Sequence, residues 1–168
     1  MVKLLVTNKF SSYRKFEKHA LHEIVGREFS LNNLSDDGEV GKLAEIKLFG
    51  KVASAGETDF YVRGKSNELK VYKGDSIHIL TSKSEFRIRE RAFKKMQRTH
   101  LIYYKKIGDK VIYDTLYRLK KINKDKFKEL INVKKNKYDQ YEVRITIKSI
   151  EQSYIIKEVA WGLTLALK

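Results

Sequence analysis

The chain of 168 residues contains neither cysteine nor proline. Without cysteine it forms no disulfide, no thiolate zinc site and no cysteine nucleophile. Without proline its turns depend on glycine, asparagine and aspartate. No apolar run approaches the ~20 residues needed to cross a bilayer. We therefore expect a cytoplasmic protein that does not act at a membrane.

Acidic residues are few relative to basic ones. There are 36 Lys and Arg against 21 Asp and Glu, which gives a net charge of +15. Such an excess makes a polyanion the natural partner without naming it, and nucleic acid is the polyanion that we predict. Hydrophobic residues make up 42% of the chain, enough for one folded domain over residues 1–168.

The first third of the sequence changes its periodicity twice. Ser11 or Ser12 is a candidate N-cap, and the apolar residues after it recur at three- and four-residue steps, which predicts a helix. The segment Ser30–Gly41 is rich in turn formers and predicts a loop. From Leu43 the period is two, because Ala44, Ile46 and Leu48 alternate with charged residues before Gly50 and Val52, which predicts a strand.

Short strands joined by tight turns dominate the middle of the chain. We predict strands at Phe60–Arg63, Leu69–Tyr72 and Ser76–Leu80, with a turn at Gly64–Asn67 between the first two. This pattern favours an α+β fold built on a bent, mixed, mostly antiparallel β-barrel with peripheral helices. The barrel would cover residues 43–168, and residues 1–41 would form an N-terminal extension.

The last half of the chain mixes helices and strands. Ser82 and Glu85 have capping-box spacing and predict a helix to about Arg98. The following segments predict a hairpin over Leu101–Leu119, a short helix over Asp125–Ile131 and a strand over Tyr141–Ile147. The apolar segment Tyr154–Leu167 fits a strand or a helix.

Two stretches concentrate the positive charge. Lys83–Arg98 carries a net +5 and Arg118–Lys137 a net +7. In an extended segment Arg87, Arg89 and Arg91 would point to one side, where guanidinium groups suit bidentate phosphate contacts. Cations next to aromatic rings favour single-stranded nucleic acid. We therefore include Lys94 and Tyr104 in the predicted interface, whereas the second stretch is equally consistent with a solvated surface.

The segment Tyr61–Thr81 resembles the hallmark region of the PUA-like superfamily, in particular its ASCH and EVE branches. The shared features are a Gly-Lys turn, a Glu followed two residues later by a basic residue, and a Lys-Gly-Asp turn before an apolar strand. The resemblance implies RNA or modified-base recognition, and in ASCH-type relatives a small hydrolase of modified nucleosides. The residues that carry it here are Gly64, Lys65, Glu68, Lys70 and Lys73.

A second resemblance points to catalysis. Asp59 followed by Glu68-Leu69-Lys70 is similar to the D…E-x-K signature of restriction-like nucleases. In those enzymes two carboxylates hold Mg²⁺ and the lysine assists the attacking water. A four-residue turn at Gly64–Asn67 would separate Asp59 from Glu68 by roughly 13–17 Å along the strands, which disfavours a shared ion.

No cofactor or metal site is predicted from the remaining residues. His19 and His22 are three residues apart, but no third ligand follows. The sequence therefore favours a nucleic-acid-binding protein without catalysis. A Mg²⁺-dependent nuclease using Asp59, Glu68 and Lys70, or an ASCH-type hydrolase, is the alternative. The oligomeric state stays open.

Overall fold

The computed structural model describes residues 7–30, 37–53 and 58–161. The described chain is α+β and divides into two compact units. The first comprises the described parts of Met1–Lys73, His100–Tyr117 and Glu158–Lys168, and the second comprises Gly74–Thr99 and Arg118–Lys157. That all 168 residues form a single domain with an N-terminal extension stays a prediction.

The described residues form five helices and ten strands. The helices are α1 (Tyr13–Glu23), α2 (Asp37–Phe49), α3 (Ile88–Met96), α4 (Lys124–Leu130) and α5 (Ile147–Ser153). The strands are β1 (Lys9–Phe10), β2 (Glu28–Ser30), β3 (Phe60–Val62), β4 (Lys65–Tyr72), β5 (Ser76–Ser82), β6 (Thr99–Ile107), β7 (Lys110–Ile122), β8 (Asn132–Lys135), β9 (Tyr141–Thr146) and β10 (Tyr154–Trp161).

A mixed sheet of seven strands curls into a half-barrel. Its strand order is β1-β3-β4-β6-β7-β10, and β2 also pairs with β7. Strand β1 is parallel to β3, whereas β3 and β4 are antiparallel. Strands β1 and β10 stand at opposite ends of this order, so the sheet is a half-barrel where a barrel was predicted, and the α+β class with a bent, mixed sheet is confirmed.

Helices α1 and α2 supply much of the core of the first unit. The Ser12 side chain caps α1 by accepting a hydrogen bond from the Lys15 N–H at 3.1 Å, as predicted. The predicted strand from Leu43 is wrong, because this segment belongs to α2. Three residues of α2 four positions apart are fully buried, namely Val40, Ala44 and Leu48. Residues four positions apart lie on one face of a helix. Ala44 and Leu48 also fit the alternating pattern of a strand, which explains the wrong prediction.

The turn between β3 and β4 is shorter than predicted. Phe60 pairs with Asn67 and Val62 with Lys65, so only Arg63 and Gly64 form the turn. Both have positive φ, 52° and 76°, as two-residue type I′ hairpins require. The four-residue turn expected from the sequence is therefore wrong, and every facing pair along the hairpin changes.

The second unit contains a separate three-stranded sheet in the order β5-β9-β8. The predicted helix after Ser82 begins later, at Ile88, because Ser82 ends β5 and Arg87 adopts a left-handed conformation with φ 48°. The hairpin β6–β7, helix α4 and strand β9 confirm the predictions for those segments. Strand β10 covers Tyr154–Trp161, and residues 162–167 of the segment predicted as a strand or a helix lie outside the described residues.

Candidate active site and nucleic-acid interface

Asp59 lies opposite Glu68 at the open end of the β3–β4 hairpin. Because Phe60 pairs with Asn67, the next residues outward on the two chains are Asp59 and Glu68. The separation expected from a four-residue turn is therefore wrong. The two carboxylates of the D…E-x-K pattern are neighbours in the first unit.

The Asp59 carboxylate takes the place of a strand partner. Its Oδ2 accepts a hydrogen bond from the backbone N–H of Leu69 at 2.8 Å. One residue earlier, Thr58 Oγ1 donates to Ser66 Oγ at 3.0 Å. The chain before β3 thus leaves the regular ladder, and Asp59 is held against β4 through its side chain.

A third carboxylate comes from α2. The side chains of Glu45 and Glu68 both lie within hydrogen-bonding reach of the Asp59 carboxyl group, and Glu45 Oε1 also accepts from the Ala53 N–H at 3.3 Å. Burial raises the pKa of Asp59 to about 6, and the nearby charge of Glu45 adds to this, against the lowering effect of the Leu69 hydrogen bond. A raised carboxyl pKa in a group of carboxylates is typical of functional sites.

Lys70 shares a strand face with Glu68. The two residues are two positions apart on β4, where side chains alternate between faces. Leu69 between them is buried in the core, whereas Glu68 and Lys70 are both half-buried. One strand thus presents a carboxylate and an ammonium group on the face away from the core.

The donor set suits a hard divalent cation. Carboxylate oxygens are the ligands that Mg²⁺ prefers, and Mg²⁺ usually binds through one or two carboxylates together with water and substrate phosphates. Asp59 and Glu68 provide such a pair. In the part of the chain that the structure describes, no three His, Cys, Asp or Glu side chains are arranged to hold a metal ion by themselves, so any ion here would depend on water or substrate oxygens.

The predicted turn residues lie on the same hairpin as these carboxylates. Gly64 and Lys65 are exposed at its turn, and Lys73 is exposed just after β4. A Cβ added at Gly64 would meet no atom within 4 Å, so this turn borders open space. Cations and backbone at the turn are therefore accessible to a phosphate.

The arginines predicted to share one face belong to the second unit and do not do so. Residues two apart on a helix lie on nearly opposite sides. Arg89 Nη1 donates to the Lys128 carbonyl at 2.5 Å. Arg91 donates to Phe86 O, Ser82 Oγ and Ser84 O at 3.0, 2.9 and 2.7 Å. These two guanidinium groups stabilise local structure, while Arg87 and Lys94 are exposed on the surface.

The second basic stretch is partly neutralised within the same unit. Glu90 of α3 accepts hydrogen bonds from Lys124 and Lys128 of α4, at 2.8 and 2.5 Å. These hydrogen bonds, led by that from Lys124, lower the pKa of Glu90 to about 2. Both lysines thus hold α4 to α3.

The structure places Tyr104 in the hydrophobic core. Its exposed fraction is 0%, whereas Tyr103 is half-buried and its ring centroid lies 5.6 Å from that of Tyr72. Alternation along β6 explains the difference, since adjacent residues face opposite sides. The prediction that Tyr104 belongs to the nucleic-acid interface is therefore wrong, and Tyr103 is the accessible member of the pair.

Glu45 is the site residue that sequence reasoning missed. It lies on a segment interpreted as a strand, and the four-residue spacing of Val40, Ala44 and Leu48 was the signal for a helix. With α2 assigned, the order is a helix with a glutamate, then Asp59, then Glu68-Leu69-Lys70 on a strand.

Comparison with protein-family models, curated proteins and solved structures gives no significant match. Among the described residues, no helix combines the length and apolar composition that a membrane span requires.

Proposed function

We propose that this protein binds nucleic acid and hydrolyses its phosphodiester bonds with the help of a divalent cation. The observation that carries the proposal is the proximity of Asp59 to Glu68, just beyond the Phe60–Asn67 pair, with Lys70 on the same strand face as Glu68. The net charge of +15 supports a polyanionic substrate. RNA remains the favoured class, and DNA is tested beside it.

Each residue has a separate role in this proposal. Asp59 and Glu68 would hold the cation, the Leu69 N–H keeps the Asp59 carboxylate in place, and Glu45 adds a nearby negative charge that a cation would offset. When bound, Mg²⁺ would supply Lewis-acid polarisation of the phosphate and would make the attacking water more acidic. Lys70 donates hydrogen bonds to the attacking water or to a non-bridging phosphate oxygen. Water adds to phosphorus and releases a proton to solvent, the bond to the leaving ester oxygen breaks, and that oxygen takes up a proton from solvent.

The Leu69 hydrogen bond gives Asp59 a defined position before any ion binds. Pre-positioned ligands are needed because a displacement of about 1 Å at a reacting centre costs on the order of 100-fold in rate. The raised pKa of about 6 still leaves Asp59 mostly ionised at neutral pH, so the carboxylate is available to a cation. The charge of Glu45 also repels the Asp59 carboxylate until a cation neutralises it.

The experiment is a cleavage assay with end-labelled RNA and DNA, each single-stranded and double-stranded. We expect cleavage in Mg²⁺, none in EDTA, and none for Asp59→Asn, which keeps an acceptor for the Leu69 N–H. Asp109→Asn, at an exposed turn of the same unit, is the matched control and should cut normally. Intact substrates bound equally well in Mg²⁺ and EDTA would make the protein a binder without catalysis.

A further inference from the structure

A cavity lies at the edge of the first unit, beside the β3–β4 turn. Its volume is about 400 Å³, and the described residues that line it are Lys9, Phe10, Tyr61 and Gly64. This volume lies within the range of small-molecule sites. The Phe10 ring itself packs on Phe16, Phe49 and Phe60 in the core, so Tyr61 supplies the aromatic ring beside one cation and a glycine.

Backbone hydrogen bonds fix the walls of this cavity. Lys9 pairs with Tyr61 across the parallel strands β1 and β3. The Tyr61 N–H donates to Asn8 O at 2.7 Å, and the Arg63 N–H donates to Phe10 O at 3.0 Å. The site therefore exists before a ligand arrives and needs little ordering on binding.

The chemistry of the lining fits a nucleotide. Tyr61 is half-buried and Lys9 is exposed, so an aromatic ring and an ammonium group stand side by side. Aromatic rings stack on bases without regard to sequence, and lysine contacts phosphate. At Gly64 the missing side chain leaves the backbone open.

The cavity is also close to the candidate catalytic residues. Tyr61 follows Asp59 by two positions, which is about 7 Å along an extended chain. A nucleotide held at Tyr61 would therefore be a near neighbour of a phosphate held at Asp59 and Glu68. A base within a duplex is stacked on its neighbours and has no free face for the tyrosine ring.

We propose that the cavity lined by Lys9, Phe10, Tyr61 and Gly64 is a subsite for an unpaired nucleotide next to the phosphate that is cleaved. The substrate is then single-stranded nucleic acid, or a strand with locally unpaired bases. This inference rests on the proposed nuclease function for its catalytic part, and its binding part is testable alone.

The test is fluorescence anisotropy in EDTA with a labelled single-stranded oligonucleotide and with the same sequence as a duplex. We expect Tyr61→Ala to weaken single-strand binding by about 5- to 150-fold, the range that loss of one stacked base gives, and to leave duplex binding unchanged. Tyr61→Phe should retain wild-type affinity, which also shows that a change at this position permits folding. Lys9→Met should weaken the binding of both oligonucleotides. It should also lower the slope of log affinity against log salt concentration by about one, the effect of losing one phosphate contact.

Tyr138→Ala is the matched control, since Tyr138 is 71% exposed in the second unit. Equal effects of Tyr61→Ala and Tyr138→Ala, or a wild-type protein that binds duplex as tightly as single strand, would overturn the inference. Single-strand binding through Tyr61 without Mg²⁺-dependent cleavage would refute the nuclease function and leave the subsite intact. Mg²⁺-dependent cleavage at the wild-type rate in Tyr61→Ala would refute the subsite and leave the nuclease function intact.

Discussion

Asp59 Oδ2 accepts a hydrogen bond from the Leu69 N–H at 2.8 Å. This contact holds a carboxylate against the strand that carries Glu68 on one side of Leu69 and Lys70 on the other. A backbone donor with an ionised acceptor makes a comparatively strong bond. The local arrangement of all three side chains therefore depends on one turn and one hydrogen bond.

The raised pKa of Asp59 predicts a pH-dependent rate. A carboxyl group holds a cation only after it loses its proton. With a pKa of about 6 in the free protein, kcat/KM for cleavage should rise between about pH 5 and 7 and then level off. A rate profile over pH 5–8 at fixed Mg²⁺ checks this. A rate that does not change over this range would remove Asp59 from the ion site.

The same pKa predicts that Asp59 destabilises the fold at neutral pH. Its pKa rises on folding from 3.8 to about 6. Asp59 therefore costs the fold no stability below pH 3.8, where it is protonated in both states, and the cost grows as the pH rises and is complete above pH 6. A shift of this size corresponds to at most about 3 kcal/mol, less after solvent screening.

Asp59→Asn should therefore raise the free energy of unfolding by about 1 to 3 kcal/mol at pH 8. The gain should shrink as the pH falls from 6 to 4. Urea unfolding at pH 4.5 and 8 measures both, with Asp109→Asn expected to change neither. A variant less stable than wild type at pH 8 would mean that burial and repulsion are not what raise the pKa.

The turn at Arg63 and Gly64 gives a prediction about register. A left-handed conformation costs a non-glycine residue roughly 1–2 kcal/mol, and Asn-Gly is the favoured pair for a two-residue type I′ turn. Arg63→Asn should therefore stabilise the protein by about 1 kcal/mol and leave the Asp59–Glu68 site unchanged. Thermal unfolding with a cleavage assay on the same sample measures both. A loss of stability of that size would favour a different register.

Arg91 should matter for folding rather than for substrate. Its guanidinium group makes hydrogen bonds to three groups of the segment Ser82–Phe86. Removing them in Arg91→Ala should destabilise the protein by about 1–3 kcal/mol, whereas Arg98→Ala at an exposed position should change stability by less than about 0.5 kcal/mol. The salt dependence of nucleic-acid binding should stay constant in Arg91→Ala, and a shallower slope would return Arg91 to the interface.

Local patterns predicted those elements whose signals were short-range. The Ser12 cap of α1, the β6–β7 hairpin and strand β9 follow from capping and alternation in the sequence. The turn before β4 does not follow from such patterns, because it requires a positive φ at Arg63, a conformation that a side chain disfavours. Since that turn sets the register, the proximity of Asp59 to Glu68 was beyond sequence reasoning although both residues were recognised.

The α2 segment shows a second limit. Ala44 and Leu48 fit a strand and a helix equally well, and Ile46, which made the alternation convincing, is 47% exposed. The alternation of Arg87, Arg89 and Arg91 likewise fits one face of an extended segment, but Arg87 precedes α3 and the other two lie in it. In both cases the packing of the segment in the folded protein, rather than its local sequence, decides whether it forms a helix or a strand.

The most direct test of the central claim compares single-turnover cleavage rates of wild type, Asp59→Asn, Glu68→Gln and the double variant in Mg²⁺. If both carboxylates hold one ion, each single variant should lose on the order of 100-fold or more, and the double variant should lose little beyond that. Wild-type rates in either single variant, or losses that multiply in the double variant, would contradict a shared site.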